Sequence, residues 1–229
     1  MNNDVKNISA SDISSVVNTS KLSRYLYLTI KRLFDICMSL FGILFLIPIA
    51  IIIKISYMLN KDFTSIFYSQ TRIGKDGKEF KLYKFRSMIP NADEVLKELM
   101  NTNTDIFNEY SKNKKLKDDP RVTKVGKFIR KTSLDEFPQF INVFKGDMSI
   151  IGNRPYLIRE KKDMGSYYND IVKTKPGITG YWQVSGRSNL SFEDRLKLEQ
   201  YYSNNYSLIM DIKILFKTVI AVLLKKGAE

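Results

Sequence analysis

The chain has no histidine and only one cysteine and one tryptophan in 229 residues. Without histidine, Ser-His-Asp nucleophile activation, imidazole acid–base work and histidine metal ligation are excluded. The lone Cys37 allows no disulfide within the chain and no cysteine zinc site. Acidic residues are in short supply too: 24 Asp and Glu stand against 37 Lys and Arg, a net charge of +13. The expected partner is therefore anionic: nucleic acid, anionic lipid or a phosphorylated substrate. A basic surface kept for solubility is the plainer explanation of the same charge. The chemistry left open is that of carboxylates, alone or with a hard cation.

One long apolar run breaks the polar background. Residues 36–53 carry no charge and reach the length of a membrane helix. Pro48 lies inside the run and is expected to kink it. Each arm, roughly 18 Å long, falls short of a hydrocarbon core of about 30 Å. Basic residues flank both ends, Lys31 and Arg32 before and Lys54 and Lys61 after. A simple span shows a positive bias on one side. Together these favour a bent, re-entrant helix with both ends cytoplasmic; a tilted span and a buried core helix are the alternatives. The run comes too late for a secretory signal.

The rest reads as a single domain with a core. Residues 1–20 are expected to be a mobile polar tail and residues 21–32 a helix lead-in. Residues 67–73 and 80–85 read as strands joined by a turn at 74–78, a short antiparallel hairpin. Residues 91–117 read as a helix and then a Lys-rich loop, 122–130 as a short helix or strand, and 137–144 as a helix stopped near Gly146. Residues 172–180 read as loop. Residues 192–202 read as a helix, with Leu196, Leu198 and Tyr202 facing the core. Residues 208–224 read as a last helix lying on the domain or on a bilayer.

The strongest chemical signal is Asp135-Glu136, two adjacent carboxylates between Arg130-Lys131 and Pro138. Proline belongs in a first helical turn, so the pair is expected at a helix N-terminus, where backbone N–H groups favour negative charge. One carboxylate can then attack phosphorus while its neighbour holds a divalent cation. The plainer reading is a capping box between Ser133 and Glu136. Arg130 and Arg154 offer planar forks that match phosphate oxygens. The stretch from Gly177 to Arg187, with Gly180, Gly186 and Trp182, allows close backbone approach and an aromatic wall for a base or sugar.

Several motifs occur in fixed order: Lys31-Arg32-Leu33-Phe34-Asp35, Lys84-Phe85-Arg86-Ser87-Met88, Asp119-Pro120-Arg121-Val122-Thr123, Thr132-Ser133-Leu134-Asp135-Glu136, Asn142 to Ser149, Arg154-Pro155, Pro176 to Gly180 and Gln183 to Arg187. In this the chain closely resembles the bacterial sugar transferase family, the small monotopic phosphoglycosyl transferases, over roughly residues 30–224. The resemblance implies an α+β, mainly helical fold. Residues 31–59 would be the re-entrant membrane helix with its break at Pro48, and 60–229 a cytoplasmic catalytic domain ending in an amphipathic helix. It implies transfer of a phospho-sugar from a UDP-sugar to polyprenol phosphate, by analogy undecaprenyl phosphate, with release of UMP. Asp135 would be the nucleophile, Glu136 the Mg²⁺ ligand, and Arg130, Arg154 and Arg187 the phosphate-binding residues. Gly177, Thr179, Gly180, Gln183 and Gly186 would form the nucleotide–sugar loop.

The implied setting is the bacterial inner membrane, cytoplasmic face, at the first step of exopolysaccharide, capsule, O-antigen or glycan assembly. The partners implied are the two substrates and membrane lipids, not nucleic acid, with a second copy or an assembly complex left open. The chain departs from the family pattern at Ile47, Asn153 and Glu199. Two rival functions remain beside this one. A tethered anionic-polymer binder predicts salt-sensitive affinity and no metal requirement. A non-catalytic scaffold predicts no turnover at all.

Overall fold

The apolar run lies toward the C-terminal end of a much longer helix. In the computed structural model, which describes residues 10–114, 116–186 and 190–223, α1 runs from Ala10 to Leu59. The helix thus begins inside the stretch expected to be a tail. Residues 11–20 hold no apolar stripe, so hydrophobic pattern gives no sign of it. Pro48 lies within α1, where it removes one ladder hydrogen bond.

One seam of α1 is buried between residues 35 and 57: Asp35, Ser39, Gly42, Leu46, Ile53 and Tyr57. These recur at steps of three, four or seven residues, the spacing of one helix face. The opposite face leaves Leu40, Phe41, Leu44, Phe45, Ile47, Ile51, Ile52 and Ile55 exposed. Leu46, Ile53 and Tyr57 pack with Ile66, Phe85, Val125 and Ile129 of the domain. Each such buried side chain contributes roughly 1.5–3 kcal/mol. Gly42 is required by close packing, because a Cβ there would sit 2.3 Å from the Phe140 ring.

Three of the four basic residues flanking the run, Lys31, Arg32 and Lys54, are spent on the protein itself. Arg32 donates to the carbonyls of Val143 at 2.7 Å and Phe144 at 2.8 Å. Lys31 pairs with Asp211 at 2.5 Å, and Lys54 reaches the carbonyls of Phe63 and Thr64. Asp35 accepts from Ser149 Oγ at 2.9 Å and from Ile150 N–H at 2.8 Å. At the far end the Tyr57 hydroxyl donates to the Arg86 carbonyl. Both ends of the apolar run are therefore fastened to the same domain.

The hairpin forms as expected. Strand β1 (Phe67–Ile73) pairs antiparallel with β2 (Glu79–Phe85), from Phe67 opposite Phe85 to Ile73 opposite Glu79. Asp76 and Gly77 take left-handed φ values of 56° and 76° to close the turn, which suits the short polar Asp and Gly. Residues 91–117 form two helices, α2 (Ala92–Thr102) and α3 (Thr104–Asn113). Asn103 separates them, its side chain capping Asp105 and Ile106 N–H. Then come α4 (Lys124–Lys131), capped by Thr123 through Gly126 N–H, and α5 (Gln139–Lys145). Gly146, at φ 89°, ends α5.

The segment 172–180 is not all loop. Strand β3 (Ser149–Ile151) runs parallel to β4 (Gly177–Thr179), Ser149 facing Gly177 and Ile151 facing Thr179. Three-residue strands leave no alternation to read, and the pairing is made across the single-turn helices α6 (Lys161–Met164) and α7 (Tyr168–Ile171). Beyond β4 lie α8 (Tyr181–Ser185), α9 (Phe192–Asn205) and α10 (Leu208–Leu223). Leu196 and Tyr202 are buried as expected, and Leu198 is partly so. α10 buries Ile214 and leaves Ile209, Ile212, Phe216 and Val219 exposed.

Candidate active site

Asp135 and Glu136 belong to a tight 3-10 turn, Leu134–Glu136, between α4 and α5. Ser133, at φ 55°, turns the chain sharply into it; a left-handed non-glycine costs of order 1 kcal/mol. The capping box is absent, because Ser133 makes no side-chain cap. The turn also consumes the N–H groups expected to face an anion. Glu136 N–H bonds to Ser133 O at 3.2 Å, and Phe137 N–H to Leu134 O at 3.1 Å.

The charge partner of the acid pair is instead Lys84 on β2. Its Nζ lies 3.3 Å from Asp135 Oδ2 and 3.0 Å from Glu136 Oε1. Buried Asn142 sets this geometry: its Oδ1 accepts from Tyr83 N–H at 3.0 Å and its Nδ2 donates to Lys81 O at 2.7 Å, tying α5 to β2. Burial would lower the Lys84 pKa, but Glu136 and Asp135 more than offset it and hold the ammonium above its usual range. Burial pushes the Asp135 carboxyl up, against the pull of Lys84. A carboxylate with little hydration and one fixed cation is a stronger nucleophile than one in water. Arg130, on α4, donates from Nε to Ser87 Oγ at 2.8 Å, and its charge also acts on Asp135.

The sequence reading missed Lys84. A signal existed: with Phe80 and Leu82 it shares one face of β2, a charge in an apolar register. Cross-strand partners place Arg72 of β1, opposite Phe80, on that same face. Arg72 donates to Pro155 O at 3.1 Å and to Gln70 Oε1 at 2.7 Å, so it joins the hairpin to the chain at Arg154. A basic band thus leads from the acid pair through Lys84 and Arg72 to Arg154.

At its far end stands Trp182, with the Arg154 guanidinium 5.9 Å and the Arg195 guanidinium 5.0 Å from its ring. The expected nucleotide loop supports this end mostly as scaffold. A Cβ on Gly177 would lie 2.1 Å from Gly152 N, and one on Gly180 2.1 Å from Gly152 O. Both glycines therefore serve close approach between chain segments. Thr179 Oγ1 shares a 2.8 Å hydrogen bond with Thr218 Oγ1, and Gln183 Nε2 donates to Ile178 O at 3.0 Å. Gly186 lies close to the Leu190 side chain. Arg187 lies outside the described residues. Among the described residues no group of three or more Asp, Glu or Cys side chains could hold a metal.

With this geometry in place, comparison with known proteins gives a direct answer. The family model described as bacterial sugar transferase matches residues 26–225. The chain belongs to the bacterial sugar transferase family. It is 43% identical over 210 residues to a UDP-galactose-lipid carrier transferase of Erwinia amylovora, covering 92% of this chain and 44% of that protein. It is 45% identical over 202 residues to the undecaprenyl-phosphate galactose phosphotransferase of Salmonella typhimurium, covering 87% of this chain and 41% of the relative. It is 40% identical over 198 residues to the exopolysaccharide production protein ExoY of Sinorhizobium fredii, covering 86% and 87%. The chain thus spans less than half of the first two relatives and most of the third.

In this bacterial sugar transferase Glu199 lies wholly buried beneath the basic band and accepts from Arg154 N–H at 2.6 Å. Burial pushes its carboxyl up to about 7, above the usual 4.5. The folded protein then holds a proton that the unfolded chain releases. The resulting stability is complete below pH 4.5 and is lost as pH rises through about 7. Glu199→Gln is expected to flatten the fall in melting temperature between pH 4.5 and 7.5. An unchanged pH slope in that variant would refute the protonated carboxyl.

Proposed function

We propose that this chain transfers a phospho-sugar from a UDP-sugar to undecaprenyl phosphate, releasing UMP and leaving a polyprenyl-diphosphate sugar. The observation that carries the reading is the buried Asp135 carboxylate, held with Glu136 by Lys84 at the head of a band of arginines. The relatives named for lipid-carrier and undecaprenyl-phosphate transfer support it.

The steps follow from the side chains. A carboxylate oxygen of Asp135 attacks the phosphorus that bears the sugar. The bond from that phosphorus to the bridging oxygen breaks, and its electron pair leaves with UMP. An oxygen of the polyprenol phosphate then attacks the same phosphorus, and the aspartyl O–P bond breaks to regenerate the carboxylate. Lys84 offsets charge beside Asp135 throughout, and Arg130 adds a second cation.

Magnesium suits the donor set. It is commonly held by one or two carboxylates together with substrate phosphates, and Glu136 supplies such an oxygen in a partly exposed position. Bound there, the ion would neutralise phosphate charge. The exposed apolar face of α1 provides the membrane contact, placing the acid pair where a lipid substrate and a soluble one can both reach it. The setting that fits is the cytoplasmic face of the inner membrane, at the opening step of exopolysaccharide or capsule assembly.

The test is a panel of UDP-sugars offered to the protein in lipid vesicles containing undecaprenyl phosphate, with Mg²⁺ or with EDTA. At least one donor is expected to release UMP, and EDTA to suppress it. With donor alone the intact protein mass is expected to rise by one sugar phosphate. Lipid product forming while the mass never changes would overturn the covalent route.

A further inference from the structure

Above Glu199 lies a group of buried polar atoms with no hydrogen-bond partner among the described residues. They are Nε of Arg72, Arg154 and Arg195 and Nε1 of Trp182, while the Tyr156 hydroxyl is paired with the Glu199 carboxyl beneath them. Leaving a buried donor unsatisfied is costly, and native interiors hold few such groups. Arg195 is only 6% exposed, yet its buried Nε has no hydrogen-bond partner among the described residues. It lies 5.0 Å from the Trp182 ring, with Arg154 5.9 Å from the same ring. Arg72 is brought beside Arg154 by its bond to Pro155 O. Burial and the neighbouring Arg154 charge press Arg72 down to about 10 and lower Arg195 as well. Three crowded guanidiniums with idle donors describe a site shaped for an oxyanion of high charge.

We propose that Arg72, Arg154 and Arg195 form a cradle for the phosphoryl group that stays with the nucleotide, with Trp182 as its wall. This rests on the phospho-sugar transfer reading and adds Arg72 and Arg195 to the residues that bind substrate. A phosphate of the lipid acceptor has the same chemistry, but the packing favours the soluble substrate. The cradle sits on the apolar cluster of Ile73, Tyr156, Met164, Ile171, Phe192 and Leu196. Among the described residues α1 contributes nothing to that cluster; its buried Leu46, Ile53 and Tyr57 pack into a second and its partly buried Phe34 and Met38 against a third. The cradle is thus built away from the helix that meets lipid.

The position also explains a catalytic gain. When Asp135 displaces the nucleotide, the broken phosphorus–oxygen bond leaves its electron pair on the former bridging oxygen. The departing phosphate gains charge at that moment, and fixed cations favour the charged product over the diphosphate.

The test uses the full chain in lipid nanodiscs, with Arg195→Gln, Arg195→Lys and Arg72→Gln. Nucleotide-free melting temperature reports folding. Inhibition by UMP, single-turnover UMP release and the KM for polyprenol phosphate report function. UMP inhibition is expected to weaken about 10-fold or more, and single-turnover release to slow by about 10–100-fold. Arg195→Lys should recover part of both, and the acceptor KM should stay at the parental value. Unaltered UMP inhibition in a folded variant would overturn the proposal. A raised acceptor KM with unaltered release would assign the cradle to the lipid phosphate and overturn it equally. If Arg195→Gln does not fold, Arg195→Lys and Arg72→Gln decide the matter. If the parental chain turns over no donor, the transfer reading fails on its own. The cradle is then tested by whether UMP raises the parental melting temperature and fails to raise that of the variants.

Discussion

Asp135→Asn is expected to abolish UMP release from every donor, with a fall of at least about 10⁴-fold in turnover, the scale seen when a lone nucleophile is removed. The amide keeps the shape of the carboxylate but cannot form the aspartyl phosphate. Folding should survive, because Lys84 retains Glu136 at 3.0 Å and the turn is held by backbone bonds of Glu136 and Phe137. Removing a charge that burial already disfavours should, if anything, raise the melting temperature. UMP release and intact mass, read on protein of unaltered membrane attachment, make the check. Turnover within tenfold of the parent would mean that another group makes the first bond.

Gly177→Ala is expected to cause a large loss of stability. Its Cβ would stand 2.1 Å from Gly152 N, 2.5 Å from Thr179 O and 2.7 Å from Gly152 Cα. All three are backbone atoms, so no side chain can swing aside, and the parallel pairing of β3 with β4 must open. A cost of about 3 kcal/mol is expected, the upper end for overpacking. Activity should fall with it, since the same pairing sets Arg154 and Trp182 on either side of the cradle. Gly186→Ala is the control, because there the close atoms belong to the flexible Leu190 side chain. Thermal unfolding in detergent should separate the two variants, and equal melting temperatures would refute the close-approach argument.

Much of this was legible in the sequence because it is local. The hairpin showed in its alternation and turn residues, the end of α5 in Gly146, and α9 in its apolar spacing. The acid pair stands out by its chemistry, while its role as nucleophile is what the family resemblance implies. The partners of those residues were not legible, because they arrive from elsewhere in the chain. Lys84 reaches Asp135 across 51 positions, and Asp35 accepts from Ser149 across 114. The glycines near Trp182 looked like room for a ligand, yet Gly177 and Gly180 make room for Gly152. Lys31 and Arg32, which flank the apolar run, also act as anchors within the protein. A residue type shows what chemistry is on offer; only packing shows which group accepts it.

The buried seam of α1 has a practical consequence. Leu46, Ile53 and Tyr57 complete the interior around Val125 and Ile129, and Gly42 receives Phe140. Deleting the first 59 residues in the hope of a detergent-free catalytic fragment would therefore not trim an appendage. It would open one wall of the hydrophobic interior behind α4 and α5, the two helices between which the nucleophile is suspended.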